Sequence, residues 1–121
     1  MIESSCHCGA VQLRIEAEAP SALTSCNCSI CRRYGSLMAY FSSKQVKVLA
    51  DVGATERYVW GDKMLAFVRC AHCGCLSHWE GLDPNSPSDR MGVNARLFTN
   101  LEISSIRVRR FDGADTRKFL D

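Results

Sequence analysis

The sequence predicts a mainly β fold, built from antiparallel sheets with metal-binding loops at the strand ends. Two observations carry that expectation. Apolar residues between the cysteines recur with a period of two, the mark of half-buried strands, and not with the helical period of about 3.6. The eight cysteines of this 121-residue chain fall into three tight clusters: Cys6-His7-Cys8, Cys26-Asn27-Cys28-Ser29-Ile30-Cys31 and Cys70-Ala71-His72-Cys73-Gly74-Cys75. Such spacings let short loops present thiolates to a metal ion.

In chain order, Val11, Leu13 and Ile15 alternate with Gln12, Arg14 and Glu16, a strand ended by Ala19-Pro20-Ser21. Leu37 to Ser42 and Gln45 to Leu49 are the next strands, parted by the polar Ser42-Ser43-Lys44. Arg57 to Trp60 and Met64 to Val68 flank Gly61-Asp62-Lys63, a hairpin signal. Leu76 to Glu80 extends from the third cysteine cluster as a strand, and Gly81 to Asp89, with Pro84 and Pro87, is a loop. Met91 to Leu97 and Ile106 to Phe111 are the last strands. Helix is limited to a short turn after Cys31 and another near Thr99 to Ile103. With 46% hydrophobic residues, the chain can bury a core as one domain over residues 1–121, in a size range where a structural metal adds stability.

Composition excludes two partner classes. No run approaches the ~18 apolar residues that span a bilayer, so no membrane partner is expected. The formal charge is +2 with every cysteine counted neutral, and thiolates bound to two zinc ions would bring it close to zero. A near-neutral protein offers no electrostatic case for nucleic acid. The one basic cluster, Arg107, Arg109 and Arg110, alternates with Val108 and reads as the solvated face of a strand.

An even number of cysteines also fits a disulfide framework in a secreted domain. Met1 to Cys8 carries neither the basic segment nor the apolar stretch of an export signal, so a cytoplasmic location and metal ligation are expected. Pairing Cys6 and Cys8 with Cys70 and Cys73 gives a closed, structural four-thiolate site that joins the start of the chain to its middle. Cys26, Cys28 and Cys31 then remain on one short loop, with a fourth coordination position for water or substrate, and this is where chemistry is expected. Cys75 either completes that second site or packs as a small hydrophobe, the latter being preferred. Iron-sulfur ligation is an alternative use of the same thiolates.

His7 and His72 read as exposed loop residues. His78 reads as a satisfied strand histidine, with a ligand or proton-carrier role as the alternative. Arg32 and Arg33 could meet a substrate carboxylate, but the reading as ordinary solvated charges is slightly preferred. Trp60, Trp79, Tyr58 and Phe67 can line a pocket, although core packing explains them more simply.

The order Cys6-x-Cys8-Gly9, Cys26-x-Cys28-Ser29-x-Cys31-Arg32 with Gly35, and Cys70-x-x-Cys73-Gly74 resembles the glutathione-dependent formaldehyde-activating enzyme family, which includes centromere protein V-like proteins. Gly92-Val93-Asn94-Ala95-Arg96 and Phe111-Asp112-Gly113 extend the resemblance over nearly the whole chain. It implies a β-tent fold with two zinc ions, Cys6, Cys8, Cys70 and Cys73 at the structural zinc, and Cys26, Cys28 and Cys31 at the catalytic zinc. It further implies a carbon-sulfur lyase-type reaction in which glutathione, or a similar thiol, combines with a small aldehyde to give a product such as S-hydroxymethylglutathione. Cys75 departs from the small hydroxylated residue expected after Cys-Gly. Two other classes stay open: a zinc-stabilised, non-catalytic binding module, and a thiol redox protein using Cys75, since function resides in the site and not in the fold.

Overall fold

In the computed structural model, which describes residues 1–121, the strands are β1 (Ile2–Ser5), β2 (Val11–Ile15), β3 (Ala22–Cys26), β4 (Met38–Ser42), β5 (Val46–Ala50), β6 (Thr55–Val59), β7 (Leu65–Cys70), β8 (Leu76–Gly81), β9 (Arg90–Asn94) and β10 (Arg107–Phe111), with one helix, α1 (Ser29–Tyr34). They form a three-stranded sheet in the order β1-β2-β5 and a seven-stranded sheet in the order β10-β3-β4-β9-β8-β7-β6. The protein is mainly β, as expected. The expectation of antiparallel sheets needs one correction: β10 lies parallel to β3, pairing Arg107 with Ala22 through Phe111 with Cys26, so the larger sheet is mixed.

Strand alternation explains the core. Ile2, Leu13 and Ile15 from the small sheet meet Leu23, Ala39, Phe41 and Val93 from the large one, all buried. The opposite face of the large sheet carries a second cluster, Met38, Phe67, Leu76 and Trp79, against which α1 sets Ile30 and Tyr34. No helix is long and apolar enough to cross a membrane.

Two strands were invisible in the sequence. β1 fills a core position with Ser4, and β3 buries Thr24 beside Leu23, so neither shows an apolar alternation. The strand expected to run to Leu97 stops at Asn94. Its side-chain Oδ1 accepts from the Arg96 N–H, its Nδ2 donates to the Leu76 carbonyl, and a 3-10 turn, Ala95–Leu97, follows. Another 3-10 turn, Ser43–Gln45, lies between β4 and β5, and residues 99–103, where a helical turn was expected, contain none. Helix α1 begins two residues before Cys31, because Cys28 acts as its N-cap.

Gly92 matters for packing. Its strand partner is Trp79, and a Cβ placed on Gly92 would collide with the indole Nε1. The indole in turn packs 6.1 Å, centroid to centroid, from Tyr40. Replacing Gly92→Ala is expected to lower stability by about 1–3 kcal/mol through overpacking. Urea unfolding followed by tryptophan emission checks this, and an unchanged midpoint would mean that the indole moves aside freely.

Candidate metal centres

The first cluster spans the two sheets. Cys6 and Cys8 lie in the turn joining β1 to β2, and Cys70 and Cys73 lie at the turn joining β7 to β8. Gly9 and Gly74 complete these turns at φ +86° and +78°, a backbone region that side chains disfavour. In the second turn the N–H groups of His72 and Cys73 both donate to Cys70 Sγ at 3.4 Å, while the Val11 N–H donates to Cys6 Sγ at 3.3 Å. Cys6 Sγ stands 3.7 Å from Cys8 Sγ, which stands 3.5 Å from Cys70 Sγ, and all four sulfurs lie within 4.8 Å of one another. A tetrahedron with metal-sulfur bonds of about 2.3 Å has edges of about 3.8 Å, so the donor set fits a thiophilic ion.

The second cluster is local. Cys26 ends β3, Cys28 caps α1, and Cys31 is buried in the first turn of that helix. The Cys28 N–H donates to Cys26 Sγ, and the Cys31 N–H to Cys28 Sγ, each at 3.5 Å. The three sulfurs lie within 4.8 Å of one another, and no other cysteine, histidine or carboxylate joins the group.

The remaining sequence candidates lie elsewhere. Cys75 packs beside Cys6, Cys70 and Cys73, so it does not complete the second cluster. His78 is fully buried on β8, with Nδ1 on the Ser77 hydroxyl and Nε2 on the Glu80 carboxylate, each at 2.9 Å; both nitrogens are therefore engaged. His7 and His72 are exposed, as are Arg32 and Arg33. Trp79 and Phe67 belong to the core, whereas Tyr58 and Trp60 face solvent. Arg107 and Arg109 approach the Asp121 carboxylate, and Arg109 also covers the Phe119 ring at 3.7 Å.

Electrostatics separate the sulfurs. N–H groups of Cys75 and Cys8 draw the Cys73 thiol down to about 5. The Ala10 N–H favours the Cys8 thiolate, but interaction with Cys70, burial and the sulfurs of Cys6 and Cys73 prevail and push that thiol up to about 11. In the second cluster, burial drives Cys31 far up, and the Cys28 and Cys26 sulfurs add to the rise. Burial likewise raises Cys26. Burial would raise Cys28 as well, yet the N–H groups of Cys31 and Ile30 and the two neighbouring thiols leave it below its ordinary value. Three crowded thiols thus share one favoured negative charge, and a cation is what allows the others to ionise.

Sequence reading missed Tyr40 and Gly113. The Thr24–Met38 pairing sets Thr24, Cys26, Met38 and Tyr40 on one sheet face. Tyr40 is 37% exposed, yet desolvation raises its phenol and the Cys31 and Cys26 sulfurs act in the same direction, against a hydrogen bond with Thr24 and against Arg90, whose guanidinium lies 4.5 Å from the ring centroid. Gly113 stands against Cys26, 87 residues from it along the chain, a proximity no local pattern announces. A cleft of about 660 Å³ is lined by residues such as Met64, Trp79, Asp89 and Arg90 and by no cysteine.

Comparisons with known proteins bear on the family and the fold. A family model described as glutathione-dependent formaldehyde-activating enzyme matches residues 1–105. A Halomonas elongata protein bearing the name of that enzyme family is 48% identical over 33 residues, which span 27% of this chain and only 21% of the relative's length. The crystal structure of a Rhodobacter sphaeroides protein has a TM-score of 0.72 at 24% identity, covering 88% of this chain and 98% of the other, a likeness of fold.

Because Cys8, Cys26 and Cys31 have raised pKa values, each must lose a proton to bind a metal. Affinity is therefore expected to rise with pH through the neutral range and to fall on acidification. Chelator competition with zinc at pH 6, 7 and 8 measures this, and a pH-independent affinity would mean that thiols are not the donors.

Proposed function

Since the chain belongs to the glutathione-dependent formaldehyde-activating enzyme family, we propose that residues 1–121 form one β-tent domain holding two zinc ions and joining a thiol to a small aldehyde. The observation that carries this reading is the contrast between the clusters: four sulfurs in one, and three with no fourth protein donor in the other. Cys6, Cys8, Cys70 and Cys73 hold the structural zinc. Cys26, Cys28 and Cys31 hold the second, where bound zinc keeps the sulfur of an incoming thiol ionised at neutral pH and positions it.

The chain's own residues supply the rest. Three donors from a single turn leave one side of the site for a substrate sulfur, glutathione being the natural candidate. That sulfur forms a bond to the aldehyde carbon, the carbonyl electron pair moves to oxygen, and the oxygen takes up a proton to give an S-hydroxyalkyl thioether. Tyr40, held in its neutral form on the same sheet face as Cys26, is our candidate to deliver that proton. Arg32 and Arg33, exposed on α1 beside Cys31, suit the carboxylates of a peptide thiol. Placement of Cys75 at the first cluster and the engaged nitrogens of His78 weigh against a closed second site, and so against a purely structural module.

Two tests follow. Anaerobically purified protein should contain two zinc ions per chain, glutathione should add a sulfur ligand at one of them by zinc-edge absorption, and the protein should accelerate hemithioacetal formation. Zinc-loaded protein that neither binds glutathione nor changes that rate would sink the proposal. Tyr40→Phe should lower kcat by about 100-fold or more with metal content intact; an unchanged kcat would assign the proton to water.

A further inference from the structure

The second cluster is closed on one side by a distant part of the chain. Strand β10 delivers Phe111 opposite Cys26, and the Asn27 N–H donates to the Phe111 carbonyl at 3.2 Å. Beyond it, Asn27 Nδ2 donates to Asp112 Oδ1, and the Ala114 N–H donates to Asn27 Oδ1, both at 3.0 Å. The second Asp112 oxygen accepts from the Thr116 N–H at 3.2 Å and from its hydroxyl at 2.9 Å. Gly113, between these contacts, lies so close that a Cβ on it would stand 2.5 Å from Cys26 Sγ and 3.3 Å from Cys28 Cβ. Its φ is not in the left-handed region, so space and not backbone conformation demands a glycine.

These contacts grip the one residue between Cys26 and Cys28 from both ends of its amide and press backbone directly against the Cys26 sulfur. Asp112, Gly113, Ala114 and Thr116 lie past residue 105, where the family model's match ends, although Phe111-Asp112-Gly113 shares in the resemblance noted from the sequence. The bonds within the cysteine loop are long N–H···S contacts at 3.5 Å and hold its geometry weakly by themselves. Asp112, with its accepting capacity taken up by Asn27 and Thr116, is part of the frame and is not among the sulfur donors.

We propose that Asn27, Asp112 and Gly113 form a positioning clasp for the three-cysteine site, fixing the spread of the Cys26 and Cys28 sulfurs and so setting the site's metal affinity. The clasp rests on the reading that these three cysteines hold a metal. Preordering the donors removes a conformational cost that binding would otherwise bear, and loss of such an outer partner typically weakens a metal site by about 10- to 100-fold.

Cobalt(II), which accepts tetrahedral thiolate ligation and reports it in its visible spectrum, is the probe. Full-length wild type, Gly113→Ala and Asn27→Ala are titrated with cobalt against a competing chelator. Wild type should bind two ions. Each variant should keep one site at wild-type affinity, the four-cysteine site that also certifies folding, and lose about 10- to 100-fold at the other. Gly113→Ala should in addition shift the visible bands of the weakened site. Asn27→Ala alters an exposed side chain, so it preserves the test if the alanine at 113 prevents folding. Wild-type affinity at both sites overturns the clasp, and so does equal weakening at both, which would signal general destabilisation. A wild type that binds a single ion overturns the metal reading beneath it and the clasp with it.

Discussion

The contact on which the arrangement turns is the meeting of Cys6 and Cys8 with Cys70 and Cys73. It ties the turn of one sheet to the turn of the other, across a sequence separation of 62 residues between Cys8 and Cys70. The length-dependent part of closing such a loop costs about 4 kcal/mol. Apolar packing offsets part of that cost: Cys6 and Cys70 are buried with Val11, and Cys73, Cys75 and Leu97 pack around them. The thiols themselves add little attraction. Four of them at van der Waals separation gain only weak S–H···S contacts, so a bound ion is the natural source of the remaining stability.

The same crowding creates a charge problem that the backbone only partly solves. N–H groups aimed at sulfur favour thiolate, and they succeed at Cys73, whose thiol is held at about 5. At Cys8 in the same cluster the Ala10 N–H is outweighed by interaction with the Cys70 sulfur, by burial and by the Cys6 and Cys73 sulfurs, and the thiol rises to about 11. In the three-cysteine cluster the division is similar, with Cys28 favoured and Cys31 suppressed by burial. A dication reverses this arithmetic for every sulfur at once. The turns that present the cysteines therefore look like sites shaped for a cation, with their N–H groups holding the first charge in place.

What the sequence revealed was local, and what it concealed was distant or polar. The Cys-x-Cys and Cys-x-x-Cys spacings encode tight turns by themselves, so the grouping of cysteines was readable before any strand was placed. Val11, Leu13 and Ile15 announced β2 because the small sheet buries one face only. β1 and β3 escaped notice because Ser4 and Thr24 occupy positions that a pattern reader reserves for apolar residues. The parallel return of β10 to β3 depends on tertiary pairing over more than eighty residues, and no turn signal precedes such a connection. Gly113 was legible only as a glycine in a motif; its reason, the proximity of Cys26 Sγ, exists only in the folded chain.

Volume and chemistry part company in this molecule. The cleft beside Trp79 has walls of mixed character, with Met64, Leu65, Trp79 and Met91 among charged groups of which Glu80 is engaged by His78 and Arg57, Asp89 by Ser42, and Arg90 by the Tyr40 ring. The three-cysteine site concentrates three sulfurs, one of them favoured as thiolate, at the edge of the sheet face that Tyr40 and Trp79 occupy. A reaction between a thiol and a one- or two-carbon aldehyde needs little enclosed volume around the reacting atoms; it needs an ionised sulfur held at a fixed point. The proposed reaction therefore fits the sulfurs better than the cleft. Trp79 and Arg90, which belong both to the cleft wall and to the packing around Tyr40, make the cleft a neighbour of that face and not a rival to it.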